Sequence, residues 1–307
     1  MIYTVTANPS LDYLVTLGQF TPGGMNRASE TRLVPGGKGV NVSIILSRLD
    51  TPSLALGFSG GFSGHQIACM LQENGCECAF IEIPGVVSRI NVKLCAPQET
   101  EINAAGPAVP PEAVRALCAQ VSKLTPADTL VLGGKPPLGA PDDFYARVLR
   151  AAPPGVLTIL DAAGEPLRHA LARRPFLIKP NVDELSDLCG QVLTSEDDML
   201  ACARALQKQG ARNILVSMGK WGAMLLTEDG RLLRGLPPQG TPLNTVGAGD
   251  SMVAGFLAVW LRTRQFEPAF RMGLAAGSAT AFSTWLAERH EIERCYALLP
   301  PIRQSRP

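Results

Sequence analysis

An aspartate set among glycines is a poor ligand for an anion and a well-placed base. In the run Asn244-Thr245-Val246-Gly247-Ala248-Gly249-Asp250-Ser251, small residues at 247–249 let the backbone turn tightly and approach a ligand closely. The apolar stretch Met252-Val253-Ala254-Gly255-Phe256-Leu257 follows at once and predicts a helix. The free N–H groups at such a helix start form an anion site without any side chain. A carboxylate there repels phosphate, so anion binding alone does not account for Asp250. It fits a group that takes the proton of a hydroxyl as that hydroxyl attacks phosphorus. The competing account is that Asp250 only caps the helix.

A second cluster is Pro35-Gly36-Gly37-Lys38-Gly39-Val40-Asn41-Val42-Ser43. It is not the phosphate loop G-x-x-x-x-G-K-[ST], which occurs nowhere in the chain. No G-x-G-x-x-G follows the first strand either, which argues against a dinucleotide site. The glycines would let a helix start press against a polar ligand, with Lys38 and Asn41 supplying hydrogen bonds. An ordinary glycine-rich loop remains the alternative. The third cluster, Lys179-Pro180-Asn181-Val182-Asp183-Glu184-Leu185, follows a predicted strand, where open α/β sheets bind ligands. Asn181 and Glu184 share one helix face, and their hard oxygens suit a hydrated Mg²⁺. Their spacing fits a capping box equally well. Arg89 and Lys93 in Arg89-Ile90-Asn91-Val92-Lys93 share one face of a strand and could clamp an anion, or be a solvated face.

The elements that must carry these residues alternate. Strands are predicted over 2–6, 53–58, 129–132, 157–160, 176–178 and 214–217. Helices are predicted over 39–49, 65–74, 113–124, 142–151, 195–209, 248–264, 269–282 and 291–298. That alternation predicts a parallel sheet covered by helices on both faces. Two stretches, 11–34 and 88–105, lack helical period and contain half-exposed strands at 14–17 and 90–94. We expect both to leave the main sheet and pair with each other as a small lid. Such a lid either covers a ligand or pairs with a second copy of itself. The proline-rich patches 107–111, 136–141 and 153–154 are expected loops, and the tail 300–307 is expected to fray.

Composition narrows the function further. Among 307 residues, 28 Lys and Arg balance 27 Asp and Glu, so a net charge of +1 gives no global pull toward nucleic acid or an anionic membrane. Hydrophobic residues at 46% with 18% charged exclude disorder as the main state. No apolar run approaches the ~18 residues of a membrane span. The start MIYTVTANPS reads as a strand and lacks the features of a signal peptide. The eight cysteines form no C-x-x-C pair and lie mostly in apolar runs, so they read as buried thiols of a cytoplasmic, reducing location. His65, His169 and His290 do not cluster, and neither G-x-S-x-G nor H-E-x-x-H is present, which disfavours serine hydrolase and zinc chemistry.

These pieces in this order resemble the ribokinase-like, or PfkB, carbohydrate kinase family. The resemblance rests on the 36–43 and 244–257 signatures, with Asn8-Pro9-Ser10-x-Asp12, the 179–185 run and Ser217-Met218-Gly219 with Gly222 between them, and it covers nearly the whole chain. It implies a three-layer α/β/α sandwich with a mostly parallel sheet plus a β lid, organised as one kinase domain over 1–307. By the same resemblance Asp250 is the catalytic base, and Gly247, Ala248 and Gly249 form its anion hole. Asp12, Gly37, Lys38, Asn41 and Arg89 match sugar-phosphate positions, with Lys93 beside them. Lys179, Asn181, Ser217, Gly219, Gly222 and Thr245 fall to the nucleotide, the adenine near 275–283, and Glu184 to Mg²⁺ through water. ATP and Mg²⁺ are thereby implied. The opening strand, Thr100-Glu101-Ile102-Asn103 and the 89–93 run are most similar to the branch that phosphorylates fructose 1-phosphate at C6. The branch acting on tagatose 6-phosphate is the alternative, and a non-catalytic sugar-phosphate-binding regulator is the alternative outside enzymes. One departure stands out: in Gly133-Gly134-Lys135-Pro136-Pro137, Lys135 replaces the family's usual serine, and we expect it to contact the substrate phosphate. A homodimer through the lid is also expected.

Overall fold

The protein is described by a computed structural model over residues 1–305. Its first strand, β1 (Ile2–Thr6), lies inside an eleven-stranded sheet, third from one edge, and shows why the layers form. Ile2, Thr4 and Thr6 point to one face, where the Thr4 hydroxyl bonds that of Ser43 at 2.7 Å. Val5 points to the other face and is fully buried there. A strand buried on both faces needs a helical layer on each side.

In chain order the remaining elements begin with β2 (Ser10–Thr16), β3 (Glu30–Gly36), α1 (Lys38–Arg48), β4 (Ser53–Ser59) and α2 (Gly61–Glu73). They continue with β5 (Glu77–Cys78), β6 (Ile81–Glu82), β7 (Arg89–Cys95), β8 (Thr100–Ile102), α3 (Pro111–Val121), β9 (Thr129–Gly133) and α4 (Phe144–Ala151). Next come β10 (Leu157–Asp161), α5 (Gly164–Leu171), β11 (Leu177–Ile178), α6 (Val182–Cys189), α7 (Glu196–Gln209) and β12 (Asn213–Ser217). The chain closes with β13 (Ala223–Leu226), β14 (Leu232–Gly235), α8 (Ala248–Thr263), α9 (Phe266–Ala281), α10 (Arg289–Leu298) and β15 (Arg303–Ser305).

The large sheet runs β5-β4-β1-β9-β10-β11-β12-β13-β14-β15, with β6 also on β4. It is parallel as far as β12 and antiparallel beyond it. One apolar core joins the sheet to α1, α2, α8, α9 and α10, and a second joins its other face to α3–α7. The three-layer arrangement is therefore observed. A separate sheet, β3-β2-β7-β8, holds both irregular stretches. Its central pair, β2 and β7, is parallel and in register from Ser10↔Arg89 to Thr16↔Cys95. The expected mutual pairing of the two stretches is thus present.

Helix α8 matters most for position. Every residue from Asp250 to Trp260 is buried. Its far end is pinned by Trp260, whose ring centroid lies 5.0 Å from Phe176 and 4.5 Å from Phe266. Burying a large side chain contributes about 1.5–3 kcal/mol, so this cluster fixes the helix whose first turn faces the cleft.

Three expectations need correction. Within the tail 300–307, Arg303–Ser305 is the strand β15, because β14 offers it an open edge; residues 306–307 lie outside the described residues. Pro111 is the first residue of α3, a position where a missing N–H costs nothing. Cys189 and Cys202 are paired as a disulfide between α6 and α7, with Cα atoms 6.1 Å apart, since the turn after Gly190 brings α7 back alongside α6. Of the other cysteines, Cys76 and Cys295 are buried and Cys95 is exposed. Among the described residues no helix is long and apolar enough to cross a membrane.

Candidate active site

Between the small sheet and the carboxyl ends of the parallel strands lies a cleft of about 1450 Å³. All eighteen residues singled out above line it, from Asp12 and Arg89 on the small sheet to Asn181 and Gly219 on the large one. Strand ends and helix starts bring them there, as expected of an open parallel sheet.

Helix α1 enters the cleft at Gly37, whose φ of 116° favours glycine. A β-carbon there would lie 2.5 Å from Thr6 Cγ2. Thr6 also accepts the Val40 N–H through Oγ1 at 2.9 Å, so β1 and the first turn of α1 are clamped together. This places Lys38 and Asn41 on the cleft wall. Beside it, packed against α1, α8 starts with Gly247 as its cap residue. Asp250 is the third residue of the helix and does not cap it, which removes the capping account. Instead Asn41 Nδ2 donates to Asp250 Oδ2 at 2.8 Å, with both side chains buried.

The charges in this wall form one group. Lys38 Nζ donates to Asp161 Oδ1 at 2.8 Å and lies 3.8 Å from Glu184 Oε1. Lys179 Nζ is 3.5 Å from Asp161 Oδ2, an oxygen that is buried and accepts no hydrogen bond. The Lys179 ammonium also reaches the start of α8, because a β-carbon on Gly249 would lie 2.8 Å from it. A cation and the free N–H groups of a helix start therefore converge on one point, where a transferring phosphoryl group would be stabilised. Burial is the largest influence on Asp250 and Asp161 raises it further; Lys38, the Asn41 hydrogen bond and Lys179 oppose, leaving it at about 6. Asp161 is also buried, but Lys179 and Lys38 hold it below the usual carboxylate range. Burial alone would lower Lys38; Asp161, Asp250 and Glu184 outweigh it and hold the ammonium above the usual lysine range.

Asn181 and Glu184 do form the capping box: Glu184 N donates to Asn181 Oδ1 at 2.7 Å, and Asn181 N donates to Glu184 Oε2 at 2.9 Å. The box leaves Glu184 Oε1 toward the cleft. Among the described residues no group of three or more His, Cys, Asp or Glu could enclose a metal. One carboxylate oxygen facing a cleft fits Mg²⁺, which takes one or two carboxylates and keeps several of its waters.

On the small sheet, Asp12 accepts from Asn91 Nδ2 at 2.7 Å, and Asn91 Oδ1 accepts from Ala104 N at 3.1 Å. Arg89 donates from Nε to Asn8 O at 3.1 Å and from Nη1 to Ala104 O at 3.5 Å, so Nη2 is the donor left for the cleft. Lys93 is not free: its Nζ contacts Glu101 Oε2 at 2.8 Å and Asn103 Oδ1 at 3.0 Å. Lys135 lines the cleft, is exposed, and has no carboxylate partner among the described residues. At the far end the wall is apolar, built from Leu236, Pro237, Pro238, Leu274 and Phe282.

Sequence reasoning missed Asp161, the role of Asn91, and the 236–242 segment. The clue to Asn91 was its period-two relation to Arg89 and Lys93.

The pattern of the pfkB family carbohydrate kinases matches residues 5–288. The chain is 43% identical over 307 residues to the 1-phosphofructokinase of Bacillus subtilis strain 168, with 100% of both chains covered. It is 34% identical over 289 residues to a tagatose-6-phosphate kinase of Staphylococcus epidermidis, covering 92% of each. The crystal structure of Escherichia coli phosphofructokinase-2 in complex with potassium superposes with a TM-score of 0.90 at 30% identity, over 96% of this chain and 98% of that one.

Proposed function

The chain belongs to the pfkB family of carbohydrate kinases, and from that premise we propose that it transfers the terminal phosphoryl group of ATP to the C6 hydroxyl of fructose 1-phosphate, giving fructose 1,6-bisphosphate and ADP. One observation carries the reading above all. The buried carboxylate of Asp250 stands beside a glycine-lined helix start and the Lys179 ammonium, in a cleft shared with Asp12 and Arg89. The higher identity to the fructose-1-phosphate enzyme than to the tagatose-6-phosphate enzyme supports the choice of sugar.

In this reading the acceptor lies under the small sheet. Asp12, held by Asn91, accepts a sugar hydroxyl. Arg89 and Lys135 bind the substrate phosphate, while Lys93 keeps Glu101 and Asn103 in place around it. Asp250 accepts the proton of the C6 hydroxyl as its oxygen attacks the terminal phosphorus. The N–H groups of Gly247 and Gly249, and that of Ala248 on leaving its 3.3 Å bond to Thr245 O, stabilise the equatorial oxygens with Lys179 and Lys38; such positioned charge is the main protein contribution to phosphoryl transfer. Asn181, Ser217, Gly219, Gly222 and Thr245 line the nucleotide end, and the adenine rests between the 236–242 segment and α9. Glu184 would hold a Mg²⁺ ion through water, and such an ion would supply charge neutralisation on the ATP phosphates.

The chain acts as one kinase domain whose small sheet is the lid, and closure excludes water from the phosphoryl group. The outer face of that lid supports a homodimer. Leu33, Tyr13, Val92 and Ile102 lie in one cross-strand row, and Leu33, Tyr13 and Ile102 are exposed. ATP as donor supports a cytoplasmic location.

The test is kcat/KM for fructose 1-phosphate against tagatose 6-phosphate, with ADP and product followed together. The proposal expects fructose 1-phosphate to be preferred. A preference for tagatose 6-phosphate would move the chain to the other branch, and tight sugar-phosphate binding without ADP would make it a regulator.

A further inference from the structure

Asp250 is gripped from the neighbouring helix α1 by a residue far away in sequence. Asn41 and Asp250 are 209 positions apart, yet the Asn41 amide donates to Oδ2 at 2.8 Å. Among the described residues this is the one hydrogen bond to the Asp250 carboxylate, so Oδ1 is left without a protein partner. Asn41 is itself well held. Its backbone N–H donates to Gly37 O at 2.9 Å inside the clamped first turn of α1. Its Nδ2 lies 3.4 Å from where a β-carbon of Gly247 would be, so it touches the cap of α8 as well as the base. Its own Oδ1 accepts no hydrogen bond among the described residues, and the side chain lines the cleft. An amide placed this way has one polar end on the base and one end for the acceptor.

We propose that Asn41 is a positioning residue that fixes the Asp250 carboxylate, so that Oδ1 alone faces the acceptor hydroxyl. It then does more than bind sugar: it couples the α1 wall to the α8 wall. A carboxylate free to rotate would divide its time among orientations, and a misplacement of ~1 Å can cost about 100-fold in rate. The groups facing Asp250 are Lys38 and Asn41 from α1, Asp161 from the end of β10, and Lys179 from the turn after β11. Removing the Asn41 donor leaves burial and Asp161 opposed by the two lysines alone, which moves Asp250 upward.

The inference rests on the kinase reading, and its test separates the two. Asn41→Ala and the size-matched Asn41→Leu are compared with Asp250→Asn and with the double variant Asn41→Ala/Asp250→Asn. Turnover is followed by ADP release, and the Asp250 carboxyl is titrated by carbon NMR, its signal assigned by its loss in Asp250→Asn. With fructose 1-phosphate, kcat should fall about 10- to 100-fold with KM changed much less. The acid limb of kcat and the Asp250 titration should both move up, by about half a pH unit or more. The double variant should be no slower than Asp250→Asn, because Asn41 acts through the carboxylate. A loss confined to KM, an unmoved titration, or additive losses in the double variant would overturn the positioning role and leave a plain sugar contact. Wild-type protein that turns over no sugar phosphate would refute the kinase reading instead, and the titration would still decide the role of Asn41.

Discussion

Replacing Asp161 by asparagine should damage stability more than any exposed charge change in this protein. The carboxylate is 3% exposed and lies between two ammonium groups, Lys38 at 2.8 Å and Lys179 at 3.5 Å. The two lysines differ in what they can do once it is gone. The Lys38 side chain is 31% exposed and has Glu184 at 3.8 Å, so it can turn toward water or to that second partner. The Lys179 side chain is 5% exposed and is pressed against the start of α8, so it stays buried beside a helix terminus of like sign. Breaking a buried pair by removing one member costs about 3–5 kcal/mol. With Lys38 relieved by solvent, and Asp250 freed of a like charge and left as counter-charge to Lys179, we place Asp161→Asn at the lower end, about 3 kcal/mol. Urea unfolding should show a lower midpoint with an unchanged slope. Adding Lys179→Met to Asp161→Asn should recover much of the loss, because the second change removes the stranded charge. A single variant within about 0.5 kcal/mol of wild type, or a double variant less stable than the single, would refute the charge-cluster argument.

Asp250 should behave in the opposite sense. A carboxyl raised from 3.8 to about 6 by burial and the Asp161 charge costs the folded state on the order of 3 kcal/mol once both states are ionised. Asp250→Asn should therefore stabilise the protein above pH 6, with the gain shrinking as pH falls toward 4, because below the unfolded value both states are protonated; unfolding midpoints at pH 8 and pH 4 check the sign. Lys135→Ala should raise KM for the sugar phosphate about tenfold with kcat nearly unchanged, the loss of one charge-assisted contact that binds ground and transition states alike. An unchanged KM would remove Lys135 from the phosphate site.

Much of this geometry was legible in the chain. The strand at the start, the runs ending at 132, 160 and 217, and the apolar helix behind Asp250 announce themselves as short, mostly apolar or β-branched runs, because parallel strands buried on both faces carry few charged residues. The first glycine cluster was legible because glycine alone suits the positive φ and the close approach of Gly37 to Thr6, and the second because Gly249 leaves room for the Lys179 ammonium. Asp161 was not, because nothing local separates a strand-ending aspartate from any other; its meaning comes from lysines supplied by other elements. The β13–β14 hairpin had a signal in Asp229-Gly230 between two apolar runs, which the expectation of β-α alternation masked. The pairing of β15 with β14 and of Cys189 with Cys202 depends on which surfaces meet after the chain folds back. Lys93 shows the same limit: its spacing put it on the cleft face, but Glu101 and Asn103 decide what its charge is used for.

The central claim is that Asp250 removes the acceptor's proton, and its most direct test is the turnover of Asp250→Ala with saturating ATP and fructose 1-phosphate. General base catalysis is worth about 10²- to 10⁴-fold, so the account predicts a fall in kcat of at least that order while the folded protein still binds both substrates. A loss smaller than about tenfold would contradict it and require another group in the cleft to take the proton.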